Sequence, residues 1–240
     1  MDIKFNINAD VGEGMGDDAG LMPFIQACNI ACGGHSGNQL EIKKTIELAQ
    51  KHQVLIGAHP SYPDPINFGR RTMKINKKEL YQSIEQQLSL LLKQLPLEKL
   101  NHIKPHGALY HDCINKEEVA RIFLEVIESV GAEVIIFTSS KGYLAKLADK
   151  KGIEYWNEAF IDRAYQDNGQ LLTRSEPNSV LNDSKLIYRR IKNLTQNKGV
   201  YSINGNWIPL DAKTLCVHGD HPNAASLLKS ALSYLEINET

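Results

Sequence analysis

Short apolar or β-branched runs alternate with amphipathic helical stretches along the whole chain, and this alternation constrains the fold more than any other feature. Seven runs read as strands: Ile3–Ala9, Ala27–Ala31, Val54–Ala58, Ile103–Lys104, Glu133–Thr138, Ile153–Trp156 and Leu215–His218. The stretches between them carry helix signals. Asn38, Asn76 and Asn115 each stand three residues before a glutamate, Glu41, Glu79 and Glu118, the spacing of a reciprocal N-terminal cap. After Asn76 the apolar stripe is Leu80, Ile84, Leu88, Leu91, Leu92 and Leu95. After Asn115 it is Val119, Ile122, Phe123, Val126, Ile127 and Val130, with Gly131 as a stop. Asn223 precedes a closing helix with Leu227, Leu228, Ala231, Leu232 and Leu235 on its stripe. Strands and helices in strict alternation form a parallel sheet covered by helices. With about seven repeats and no break in composition at the midpoint, the chain is expected to close into one barrel rather than a doubly wound sheet. The fold expected is a single-domain seven-stranded β/α barrel over residues 1–240.

Composition removes several function classes. A formal net charge of −1 gives no field to gather nucleic acid or an acidic membrane. No run of about 18 apolar residues is present, and Met1–Phe5 lacks the charged-then-apolar pattern of a signal peptide. A cytoplasmic protein is expected. Cys28, Cys32, Cys113 and Cys216 show no paired zinc spacing and read as buried, reduced thiols.

Polar, titratable residues collect just after the predicted strands. Asn8, Asp10 and Glu13 follow the first, Asn29 and His35 the second. His59 follows the third, with Arg70 and Arg71 further along its loop. Lys104 and His106 sit at the fourth, Glu158, Asp162 and Arg163 near the sixth, and His218, Asp220 and His221 after the seventh. In a parallel barrel the loops that follow the strands share one face, and active sites form there. Gly33-Gly34-His35, His59-Pro60, Pro105-His106-Gly107 and His218-Gly219-Asp220 set these side chains on tight turns. The Pro-rich stretch His59–Asn67 and the segment Ala164–Asn182 read as functional loops.

Familiar motifs are missing. Gly12-Glu13-Gly14-Met15-Gly16 lacks the dinucleotide spacing, and Glu13 would repel a phosphate. The sequence has no Walker-type phosphate loop, no H-E-x-x-H and no G-x-S-x-G elbow. Tyr62, Tyr110 and Tyr165 read as packing residues.

Five blocks in order resemble the LamB/YcsF family. They are Asn29-Ile30-Ala31-Cys32-Gly33 with His35 and Gly37, and Gly57 to Asp64 with Phe68-Gly69-Arg70-Arg71. Lys104-Pro105-His106-Gly107-Ala108-Leu109-Tyr110 follows, then Glu158, Phe160, Asp162, Arg163 and Tyr165, then Cys216-Val217-His218-Gly219-Asp220. Two departures stand out. The family's opening D-L-N-C-D-x-G-E becomes Asn6-Ile7-Asn8-Ala9-Asp10-Val11-Gly12-Glu13, without the cysteine. Its F-H-A-G-D becomes Gly34-His35-Ser36-Gly37-Asn38, without the acid.

The resemblance implies a seven-stranded β/α barrel related to polysaccharide deacetylases and glycoside hydrolases. It implies ATP-dependent cleavage of 5-oxoproline to glutamate, shared with two other 5-oxoprolinase subunits, B and C. ATP is then a cosubstrate, whose Mg a partner subunit could hold, and no organic prosthetic group is expected. For such chemistry the base candidates are Asp10, His59, His106 and His218. Arg70, Arg71, Lys104 and Arg163 could grip the substrate carboxylate, and Asn29 could receive developing charge. Glu13, His35, Glu158 and Asp220 complete the expected substrate contacts. A metal at Asp10, Glu13 and nearby histidines stays unassigned, since no paired-cysteine spacing supports it. Two rival readings remain: a stand-alone metal-dependent deacetylase or amidohydrolase, and a non-catalytic scaffold subunit. Replacing Asp10 or His106 by Ala is expected to abolish turnover and spare the fold.

Overall fold

In a computed structural model, residues 5–131, 133–221 and 223–238 are described. The expected strand start at Ile3 and Lys4, and the rest of the Met1–Lys4 pattern, lie outside these residues. Seven parallel strands close into a barrel: β1 (Asn6–Val11), β2 (Ala27–Ala31), β3 (Leu55–His59), β4 (Leu100–Ile103), β5 (Ile135–Thr138), β6 (Tyr155–Phe160) and β9 (Thr214–His218). A two-stranded hairpin, β7 (Gly199–Tyr201) and β8 (Trp207–Pro209), stands apart from the barrel. Asp10 pairs with Asn29 on one side and His218 on the other, and Ala31 with His59. The ends of β1, β2, β3 and β9 are therefore level.

Helices α1 (Asp18–Leu21), α2 (Gln39–Lys51), α3 (Lys77–Leu92), α4 (Gly107–Asn115), α5 (Glu117–Val130), α6 (Tyr143–Lys151), α7 (Ser184–Lys192) and α8 (Ala224–Asn238) connect the strands. Asn38 caps α2 with the full reciprocal bond to Glu41, and Asn76 caps α3 by accepting from the Glu79 amide. Gly131 ends α5 in the left-handed region at φ 70°. The Asn223 carbonyl accepts from the Leu227 amide at the start of α8.

The barrel is built on period-two strands. Ile7, Ala9 and Val11 join the apolar layer beneath the helices, as do Cys28 and Ile30, Ile103, Ile136, Leu215 and Val217. Alternation turns Asn8, Asp10, Asn29, His102, Lys104, Glu158, Thr214 and Cys216 to the interior. That interior is a bonded polar lattice. Asn8 donates to Glu158 and Thr214, Asn29 donates to Asn8, and His102 meets Asn29 at 2.8 Å. Gly57 makes room for it, since a Cβ there would lie 2.1 Å from His102 Nε2.

Several boundaries differ from the sequence reading, for physical reasons. The fourth strand begins at Leu100, because Asn101 and His102 break the apolar run while His102 fills the barrel. The sixth runs on to Phe160, through Asn157 and the buried Glu158. The expected Asn115 cap does not form. α4 continues to Asn115, whose amide donates back to the His111 carbonyl, and Lys116 starts α5 with no side-chain cap. The hairpin β7–β8 goes unpredicted, its strands being only three residues each. All four cysteines are buried and free.

Candidate active site

Lys104 sits at the centre of the carboxyl end of the barrel, 2% exposed. Its ammonium lies 2.9 Å from Asp10 Oδ1, 2.9 Å from Glu158 Oε1 and 3.0 Å from Cys216 Sγ. Burial alone would lower this lysine's pKa, but Asp10, Cys216 and Glu158 outweigh it and hold it well above the usual value. The same pairing acts in reverse on Asp10. Burial would raise its carboxyl, yet the contacts with His59 and Lys104 keep it well below the ordinary range. Asp10 Oδ1 also accepts from Asn29 Nδ2 at 2.8 Å.

Three imidazoles pack beside this pair. His35 and His106 stack with ring centres 3.6 Å apart, and His59 meets both edge-on. His35 Nε2 lies 3.1 Å from Glu13 Oε1, and His35 Nδ1 has no partner among the described residues. Burial, with His59 next, lowers His35 to about 3, so the ring is neutral. Burial and the neighbouring histidines hold His106 well below its usual value. Glu13 is pushed up, by burial first and then by Asp10 and Asp220. Among the described residues, three groups of side chains come close enough to share a cation: Asp10, His59 and His106; Asp10, Cys216 and His218; and Glu13, His35 and His106.

The rim carries two further arrangements. His218 keeps 15% of its side chain exposed, and its Nδ1 lies 3.0 Å from Asp162 Oδ2. The same carboxylate accepts the His218 amide at 2.9 Å. Burial would raise Asp162, but its contacts with His218 hold it at about 2. Nearby, Asp220 accepts from Arg70 and takes two bonds from Arg174, at 2.9 and 3.3 Å.

Most of the side chains read from the sequence thus converge: Asp10, Glu13, Asn29, His35, His59, Lys104, His106, Glu158, His218, Asp220 and Arg70. Three stand elsewhere. Arg163 is buried and donates to the carbonyls of Ser179 and Leu172, clamping the loop after β6. Arg71 is exposed. His221 pairs with Asn182 instead of the cluster. Tyr62, Tyr110 and Tyr165 are buried packing residues. Sequence reasoning passes over His102 and Arg174, and takes Asp162 only as a polar neighbour of the sixth strand. His102 is readable from the alternation Asn101-His102-Ile103-Lys104. Arg174 lies in the irregular loop at 164–182, where no local pattern marks it.

A family model described as LamB/YcsF matches residues 5–240. The chain belongs to the LamB/YcsF family. Among LamB/YcsF relatives, the A subunit of 5-oxoprolinase from Pyrococcus abyssi (strain GE5 / Orsay) is 37% identical, covering 98% of this chain and 94% of its own length. That of Vibrio cholerae serotype O1 (strain M66-2) is 39% identical, covering 92% and 94%. The crystal structure of the lactam utilization protein from Thermus thermophilus is also similar to this LamB/YcsF chain. It matches with a TM-score of 0.88 at 33% identity over 98% of each chain. No helix among the described residues is long and apolar enough to cross a membrane.

Proposed function

We propose that this chain is the A subunit of an ATP-dependent 5-oxoprolinase, working with subunits B and C to open 5-oxo-L-proline to L-glutamate. The observation that carries the reading is whole-length similarity to relatives that bear the name of the 5-oxoprolinase A subunit. The chemistry at the barrel mouth supports it. A lactam is a weak electrophile. Transfer of the terminal phosphoryl group of ATP to its oxygen makes an imidate that water attacks at the same carbon. The ring C–N bond then breaks to an amine and an acyl phosphate, and a second water gives the carboxylate and phosphate.

The candidate bases divide by environment. Asp10 is engaged by Lys104 and Asn29 and is held ionised, which makes it a poor proton acceptor. His59 and His106 each spend one nitrogen on a backbone carbonyl and are buried. His218 has rim access, and its Nδ1 is oriented by Asp162, so Nε2 suits it to take a proton from water. Lys104 offers a buried positive charge for the developing oxyanion. Arg70 and Arg174, gathered on Asp220, suit the substrate carboxylate or a transferred phosphoryl group.

Purified chain should form little or no glutamate from 5-oxoproline, with or without ATP, and adding partner subunits should switch on ATP-coupled turnover. ATP-coupled turnover by the chain alone contradicts the division of labour. Amide hydrolysis without ATP would favour the stand-alone deacetylase or amidohydrolase.

A further inference from the structure

His59 and His106 meet in a way that two neutral imidazoles avoid. His59 Nδ1 lies 2.8 Å from the Lys104 carbonyl oxygen, and His106 Nε2 lies 2.9 Å from the Phe68 carbonyl oxygen. A carbonyl only accepts, so each of these nitrogens carries a hydrogen. The other two nitrogens, His59 Nε2 and His106 Nδ1, are then lone-pair bearers, yet they face each other at 2.9 Å. Both rings are buried, His59 completely. Asp10 divides its oxygens: Oδ1 serves Lys104 and Asn29, while Oδ2 lies 3.4 Å from His59 Nε2. Glu13 Oε1 stands 3.5 Å from His106 Nδ1.

Two bare nitrogens and one carboxylate oxygen of Asp10 thus converge on one point, with Glu13 next to His106. Histidines that bind metals usually donate their second nitrogen to a carbonyl or carboxylate, which fixes tautomer and ring orientation, and both of these do so. The spacing also fits. Two nitrogens about 2.05 Å from one ion stand about 2.9 Å apart at a right angle and about 3.3 Å at the tetrahedral angle. Two imidazoles and one carboxylate on one face, with remaining positions open, suit a divalent first-row transition ion.

We propose that Asp10 Oδ2, His59 Nε2 and His106 Nδ1 form a binding site for one divalent transition-metal ion, with Glu13 beside it. Such an ion would polarise a carbonyl or acidify a bound water next to Lys104. The site stands whatever the substrate, because occupancy is measured without one.

The test is titration of chelator-treated full-length chain with Co²⁺, followed by visible d–d absorption, and with Zn²⁺ by calorimetry. One equivalent should bind with at least micromolar affinity and raise the melting temperature. His59→Gln and His106→Gln, checked for folding by circular dichroism, should each weaken binding at least about 100-fold. His218→Gln should leave it within about threefold. Under about a tenth of an equivalent bound by folded wild-type chain at about 1 mM Co²⁺ overturns the proposal, and a single proton shared by the two imidazoles then explains the contact. Binding insensitive to the His59 and His106 substitutions, or lost instead with His218→Gln, also overturns it. If either histidine variant fails to fold, Asp10→Asn supplies the decision, with the same loss of about 100-fold expected and unchanged binding counting against the site.

Discussion

Asp10 shows how burial changes what a residue is for. Read from the sequence it is a polar residue at a strand end, removable without harm to the fold. In the barrel it is 5% exposed and anchors the Lys104 ammonium at 2.9 Å. Removing one partner of a buried pair leaves an uncompensated charge, at a cost of about 3–5 kcal/mol. Asp10→Ala should therefore lower the urea midpoint sharply, whereas an unchanged midpoint would mean that Glu158 alone satisfies the lysine. Asp162 gives a pH signature. Its folded pKa of about 2 lies below the usual 3.8, so its contribution is complete above the usual value and is lost as pH falls toward 2. Wild-type stability should fall between about pH 4 and pH 2 by about 2 kcal/mol more than that of Asp162→Asn. Parallel pH curves would show that the His218 contact does not bias this carboxyl.

At the scale of elements, the same helix signal succeeds at one site and fails at another, and the reason is local. Asn38 precedes α2 with nothing competing for its side chain, and both bonds of the cap form. Asn115 has the same spacing, but α4 runs into it and takes its amide for the His111 carbonyl. Asn38→Ala should cost about 1 kcal/mol in denaturant melts. Asn115→Ala, an exposed site without a cap, should stay within about 0.5 kcal/mol. Equal losses would contradict the assignment. Strands are legible in the sequence where their outward faces are apolar, as in β2 and β5. They are clipped where inward polar residues such as His102 and Glu158 interrupt the run. The loop at 164–182 stands out in the sequence, but its residues cannot be ranked there. Arg163, just before the loop, stands out in the sequence and Arg174 does not, yet the fold turns Arg163 to carbonyls and Arg174 to Asp220.

For the whole molecule, strand–helix alternation is enough to give the closed barrel, because parallel strands joined by helices leave few ways to bury both faces. The same logic puts the polar cluster at the carboxyl end, since residues following each strand share that face. What the sequence does not supply is the division of labour inside the cluster, which depends on which atom meets which. His218 with Asp162 at the rim, Lys104 between two carboxylates, and the facing nitrogens of His59 and His106 are three-dimensional facts. The proposed reaction makes His218 the proton acceptor. Glutamate formation from 5-oxoproline and ATP, by the chain assembled with its partner subunits, tests this most directly when wild type is compared with His218→Gln. The expected result is a fall in turnover of about 10²- to 10⁴-fold in a complex that stays folded and assembled. A folded His218→Gln complex that turns over at the wild-type rate would contradict the account.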